Sequence, residues 1–260
     1  MRIFVERDIS ISEEVASFLV AILESGVGDS IKEDVRINRL VQPNSTPSRI
    51  WDYINRDVAE QAETHGCLCN LTKRGPWTMS ILYDSLSGHV ITLMREKRFE
   101  ELRRQKKTRE NMHYLDAFSK CLNRELCAPA KQQSWFEVET EDSRTFDEAT
   151  KVVEKMTACF REEGLIEHHV LVLFNAEGYQ LTSVRAVMID SDLDIVCSEN
   201  WSKFISASES IVTEVVTEED VAYANPRRGL KLNAKATQRQ ASQAKIREQE
   251  EGISDARLRG

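Results

Sequence analysis

Apolar residues recur at helical spacing from the start of the chain. In "ISEEVASFLVAILESGVG", Val15, Phe18, Leu19, Ile22 and Leu23 fall on one face, Ser10 and Glu13 have capping-box spacing, and Gly26 and Gly28 are suitable stops. "TPSRIWDYINRDVAEQA" predicts a second helix, with Thr46 as N-cap, Pro47 in the first position and Ile50, Trp51, Ile54 and Val58 inward. The period then changes. "WTMSILYD" and "GHVITLMR", joined by "SLSG", have the form of a hairpin with a short glycine-containing loop.

From Glu96 to about Leu126 the residues favour helix, with an interruption. Phe99 and Leu102 face a core, then residues 103–111 carry no apolar side chain. A helix continuing across that gap would run about 13 Å without a buried face. It must jut from the body or break near residues 107–109. Met112, Leu115, Phe118, Leu122 and Leu126 resume the pattern.

After a linker-like "CAPAKQQSW", Thr145 and Glu148 form another capping box. They introduce a helix carrying Ala149, Val152, Val153, Met156 and Phe160 that stops at Gly164. "HHVLVLFN", "YQLTSVRAVMID" and "LDIVC" predict a three-strand antiparallel meander, and "VLVLF", apolar on both faces, belongs at its centre. From Asn225 large apolar residues nearly vanish, and such a segment cannot offset its conformational entropy. The expected organisation is one α+β domain over residues 1–224, a hairpin and a meander packed with four to five helices, followed by a basic, disordered tail over 225–260.

Charge changes the picture more than composition does. The chain of 260 residues carries a net −8, yet residues 95–109 hold eight basic side chains against three acidic ones. Residues 226–260 hold nine against four, so the remainder is strongly acidic. The overall sign argues against indiscriminate polyanion binding, while two local basic segments remain compatible with it. "VASFLVAIL" is about half a membrane span, and no secretory signal opens the chain. The six scattered cysteines are therefore read as reduced thiols in a cytoplasm.

The leading candidate is the basic segment: Arg95, Lys97, Arg98, Arg103, Arg104, Lys106, Lys107 and Arg109. Arg227, Arg228, Lys231, Lys235 and Arg239 of the tail would raise the local concentration of charge. Such density can neutralise several phosphates or meet an acidic protein. It also suits a solvated helix face, with Glu100 and Arg104 at i,i+4, or docking against the chain's own acidic segments. Phe99 is the sole aromatic residue in it, which disfavours base stacking.

Four chemical alternatives are weaker. Asp84 with Glu96 and Lys97 is similar to the restriction-endonuclease-like core, where two carboxylates hold a metal and a lysine helps activate water. The lysine should lie two positions after the carboxylate, and position 98 is arginine. His113 and Asp116, with Lys120 one turn beyond, could orient a base, though no nucleophile accompanies them. His65, Cys67 and Cys69 would converge if extended, but C-x-C with distant Cys121 and Cys127 is not zinc-site spacing, and buried thiols are the default. Asp190, Asp192 and Asp194 open like a calcium loop and lack its later glycine and glutamate, so a polar turn is expected. Phosphate-cradling glycine loops, nucleophile-elbow serines and the H-E-x-x-H metalloprotease motif are absent. No cofactor is implied.

The combination "ILYD…VITLMREKRF…R…HYLDAF", within residues 77–122, resembles a segment of an uncharacterised bacterial domain family of unknown function. The resemblance implies a bacterial or mobile-element origin and transfers no catalytic residue. The sequence thus predicts a binding protein for nucleic acid or an acidic partner, with no membrane contact and an open oligomeric state. A metal-dependent nuclease-like hydrolase and a protein-interaction or oligomeric module are the alternatives.

Overall fold

A computed structural model describes residues 9–38, 44–74, 77–126 and 143–206, all within the compact unit Met1–Ala207. The tail over 225–260, and with it Arg227, Arg228, Lys231, Lys235 and Arg239, lies outside the described residues. Three helices come first: α1 (Glu13–Val27), α2 (Asp29–Asn38) and α3 (Thr46–Gln61). Three strands follow: β1 (Cys67–Arg74), β2 (Trp77–Asp84) and β3 (His89–Arg95). Then come α4 (Glu96–Gln105), α5 (Tyr114–Leu122), α6 (Ser143–Thr157), β4 (His169–Glu177), β5 (Gln180–Ile189) and β6 (Ile195–Asn200).

The class is α+β, as expected, but the two strand groups are one sheet. Its order is β1-β2-β3-β4-β5-β6, antiparallel throughout except where β3 runs parallel to β4. The parallel pair needs a crossover, and α4, α5 and α6 supply it. β4 is central, as its doubly apolar sequence requires, with five consecutive residues from Val170 to Phe174 fully buried. Apolar side chains alternate between its faces. Val170, Val172 and Phe174 meet α1 and α3, whereas Leu171 and Leu173 meet α4, α5 and α6. The sheet is covered by helices on both sides.

Several details differ from the sequence expectation. Ser12, not Ser10, caps α1, its hydroxyl accepting the Val15 N–H at 3.2 Å. The second predicted helix starts at Thr46 itself, after Ser45. The helix assigned to Thr145 begins at Ser143 and ends at Thr157, followed by a short 3₁₀ turn that buries Phe160. The long helical segment breaks: α4 ends at Gln105 and α5 begins at Tyr114, because residues 106–113 offer little to bury. Strand β1 and helix α2 are additional, so six α-helices stand among the described residues.

Gly26 sets the approach of α1 to α3. A methyl group there would sit 2.6 Å from Ile54 Cγ1, which is itself fully buried and cannot swing away. We expect Gly26→Ala to lower the melting temperature, overpacking of ~1–3 kcal/mol outweighing alanine's better helix propensity of ~1 kcal/mol. A raised melting temperature would show that the helices part freely here.

Candidate functional site

The basic segment begins at the last residue of β3 and crosses α4 into the turn before α5. Helix α4 is short and buries only Phe99 and Leu102, so most of its surface is free to carry charge. The structure divides that charge into two groups.

One group is consumed internally. Arg103 pairs with Asp194, which raises the arginine's pKa through their hydrogen bond. Asp194 is delivered by the β5–β6 turn, where Asp190 Oδ1 accepts the N–H groups of Asp192 and Asp194 at 2.9 Å. This aspartate-rich stretch is thus a turn, and it docks on α4. Arg109 pairs with Asp116, and Lys106 Nζ lies 3.7 Å from the same carboxylate. Burial lowers the Lys106 pKa, with Asp116 acting in the opposite direction. Arg98 bonds Glu101 at 3.1 Å, and Glu96, at the start of α4, is held by Arg185 of β5. Arg95 lies over the Phe174 ring, 5.6 Å from its centre.

The other group faces outward. Lys97, Arg104 and Lys107 are exposed and form no ion pair among the described residues; Arg104 Nε donates only to the Glu100 carbonyl, at 3.2 Å. With Arg98 they form the outer cationic surface of α4, interspersed with Glu100 and Glu101.

The remaining candidates are placed as follows. Asp84 pairs in register with His89 at one end of β3, while Glu96 follows the other end, about 23 Å away along the strand. The structure does not bring these two carboxylates together. Asp84 instead holds the β2–β3 turn, accepting the Leu86 N–H at 3.1 Å, and Gly88 closes that turn with a left-handed φ of 72°. His113 and Asp116 cap α5 reciprocally: His113 Nδ1 accepts the Leu115 N–H, and Asp116 accepts the His113 N–H at 2.9 Å.

His65 stacks on Phe18 at 4.2 Å and lines a cleft of about 430 Å³ beside α1 and α3, with Ser25 and Asp57. Cys67 and Cys69 lie on β1, where burial pushes their thiols up to about 12 and about 11, away from the thiolate a metal would need. No group of three or more His, Cys, Asp or Glu among the described residues is placed to hold a metal ion. Cys121 is on α5, and Cys127 lies outside the described residues.

Two polar residues at central positions escaped the sequence reading. Asn123, fully buried after α5, donates to the carbonyls of His169 and Ile189 and accepts the His169 N–H, tying helix to sheet. His169 itself is fully buried on β4, and burial lowers its pKa to about 3. A polar residue at a strand start carried no signal that it would be enclosed.

A family model described as a family of unknown function (DUF5986) matches residues 8–249. The chain belongs to this family. The membership agrees with the resemblance read over residues 77–122 and extends it along almost the whole chain. No curated protein and no solved structure matches. What a DUF5986 chain does must therefore be argued from its own residues. No helix among the described residues is long and apolar enough to cross a membrane.

Proposed function

We propose that this DUF5986 protein is a non-catalytic binding protein of the bacterial cytoplasm that presents the outer face of α4 to nucleic acid. The observation that carries the reading is the trio Lys97, Arg104 and Lys107: exposed cations without an ion-pair partner among the described residues, beside Arg98. Positive charge contributed by Arg227, Arg228, Lys231, Lys235 and Arg239 would add phosphate contacts by raising local charge concentration. The cytoplasmic setting rests on scattered cysteines that are unbridged among the described residues, and the bacterial one on the family resemblance.

Internal pairing limits the strength of this surface. Were all eight cations of the segment available, duplex binding would show a log–log salt slope near −7; with the three unpaired ones it should be about −3, plus any contribution from Arg98 and the tail. Fluorescence anisotropy of the full chain with duplex DNA, single-stranded DNA and RNA at several salt concentrations measures this. The triple variant Lys97→Glu, Arg104→Glu, Lys107→Glu is expected to weaken binding at least about tenfold and to leave the cooperative melt unchanged, because none of the three has an internal ion-pair partner to lose. Unchanged affinity, or no binding at low salt, would sink the reading and favour an acidic protein as the partner.

A further inference from the structure

β2 and β3 are in register only between residues 81–84 and 89–92. Beyond Ile81 the strands part, while β3 continues against β4 as far as Arg95 opposite Phe174. Asn55 of α3 enters on the β2 side of the parting. Its Oδ1 accepts the Ser80 N–H at 2.9 Å and its Nδ2 donates to the Thr78 carbonyl at 3.1 Å, replacing the bonds that β3 would have made. Leu93, Met94 and Arg95 are therefore left without a β2 partner at the carboxyl end of the parallel pair, the end at which ligands enter open sheets with parallel strands.

Arg95 stands at this end. It alternates with Ile91 and Leu93, so it shares the α3 side of the sheet with Phe174 and Trp51. Its guanidinium lies over Phe174, and the half-buried Trp51 meets the same ring edge-on at 5.7 Å. Arg95 makes no hydrogen bond and no ion pair among the described residues, and burial lowers its pKa with no carboxylate to offset it. Its neighbour Glu96 is directed elsewhere, held by Arg185 on the opposite face. A cation half removed from water without a counter-charge is costly to keep. The five donors of a guanidinium backed by an aromatic ring suit a carboxylate or phosphate in the plane, with a flat group stacking beside it.

We infer that Arg95, its guanidinium backed by the buried Phe174, and the half-buried Trp51 form a binding site for a small anionic ligand, a carboxylate or phosphate carried on a flat apolar body. The site lies on the α3 side of the sheet and stands whether or not α4 binds nucleic acid.

Calorimetric titration of the full chain with phenyl phosphate, benzoate, inorganic phosphate and the neutral benzyl alcohol tests it. Saturable binding is expected for at least one aryl anion. Inorganic phosphate should bind at least about tenfold more weakly and benzyl alcohol not measurably. The tighter of phenyl phosphate and benzoate identifies the natural headgroup. Arg95→Gln should weaken that ligand by about tenfold or more, while Lys97→Gln leaves it unchanged. Should Arg95→Gln fail to fold, protection of Arg95 from phenylglyoxal in the wild-type chain, mapped by mass spectrometry, replaces it; saturating ligand should slow that modification. The inference is overturned if neither aryl anion saturates below about 10 mM. It is equally overturned by binding that survives Arg95→Gln or by Arg95 reacting at the same rate with ligand present.

Discussion

Asp116→Ala should destabilise the protein by ~3–5 kcal/mol, the usual cost of removing one partner from a buried ionic group. Asp116 is only 6% exposed, accepts hydrogen bonds from two donors and faces a further cation. It accepts the His113 N–H that starts α5, pairs with Arg109, and faces Lys106 Nζ at 3.7 Å. Lys106 Nζ and Arg109 Nη1 are buried and make no hydrogen bond, so deleting the carboxylate removes the principal counter-charge of both cations and leaves Lys106 only the weaker pull of Asp192 and Asp190. Asp116→Asn separates the two losses, since its amide oxygen can still cap His113 while the charge is gone; it should cost less than alanine.

Urea unfolding measures the deficit as a lower midpoint at unchanged slope. The pH dependence carries the sign of the effect. Burial already lowers the Lys106 pKa, and Asp116 opposes that lowering. Without the carboxylate the folded pKa drops further, so the unfolded state binds more protons over a wider range below the ordinary lysine value. Stability then rises with pH through that range, and the Asp116→Ala deficit should shrink under alkaline conditions. A loss below about 1 kcal/mol would make this trio an ordinary solvated contact.

The same trio explains why the candidate site was only half legible in the sequence. The net positive charge of residues 95–109 could be counted, but which charges it kept could not. Arg103 finds Asp194 from the far end of the chain, across a turn that the sequence presents as a separate polar feature. Arg109 reaches Asp116 because the helix breaks between α4 and α5; an unbroken helix would have put the two on one face but two turns, about 10.5 Å, apart.

Helix positions, by contrast, were readable wherever an apolar stripe was dense. Val15, Phe18, Leu19, Ile22 and Leu23 are all buried in α1. Helix α2 was missed because it buries Ile31 alone, and β1 because "CLCNLTKR" is an edge strand with one fully buried residue and no clean alternation. The parallel β3–β4 pairing joins segments separated by three helices, and no local pattern encodes such a contact. It also sets the face on which Arg95 lies, and for the same reason that placement was invisible: arginine read as one more charge in a basic run until the sheet assigned it a face.

Acidification should destabilise the protein before ordinary carboxylates titrate, and His169 is the main cause. The ring is fully buried on β4, packed against Phe118 at 4.8 Å, with Nε2 2.9 Å from the Thr92 hydroxyl and Nδ1 without a partner. Protonation would place a charge in that apolar layer, so burial lowers the pKa to about 3. An unfolded histidine titrates near 6.5, so between those values the unfolded state binds a proton that the folded state refuses. Stability is therefore full above about pH 6.5 and declines as pH falls, by ~1.4 kcal/mol per pH unit for this one group. His89 adds in the same direction, its pKa lowered first by burial and then by His168. Glu13, Glu33 and Asp34, whose pKa values are lowered by hydrogen bonds from Lys203, Arg36 and Arg49, lose their contribution only at still lower pH. The interval from about pH 6.5 to 5 therefore isolates the histidines, and the folded state should lose at least about 2 kcal/mol across it. Urea midpoints across that interval measure the slope. His169→Gln should reduce it by about one proton's worth whatever the variant does to stability at neutral pH, because the slope counts protons rather than contacts. An unchanged slope would mean that the folded chain opens locally to protonate His169 without unfolding, and that the β4 layer is far less closed than its packing implies.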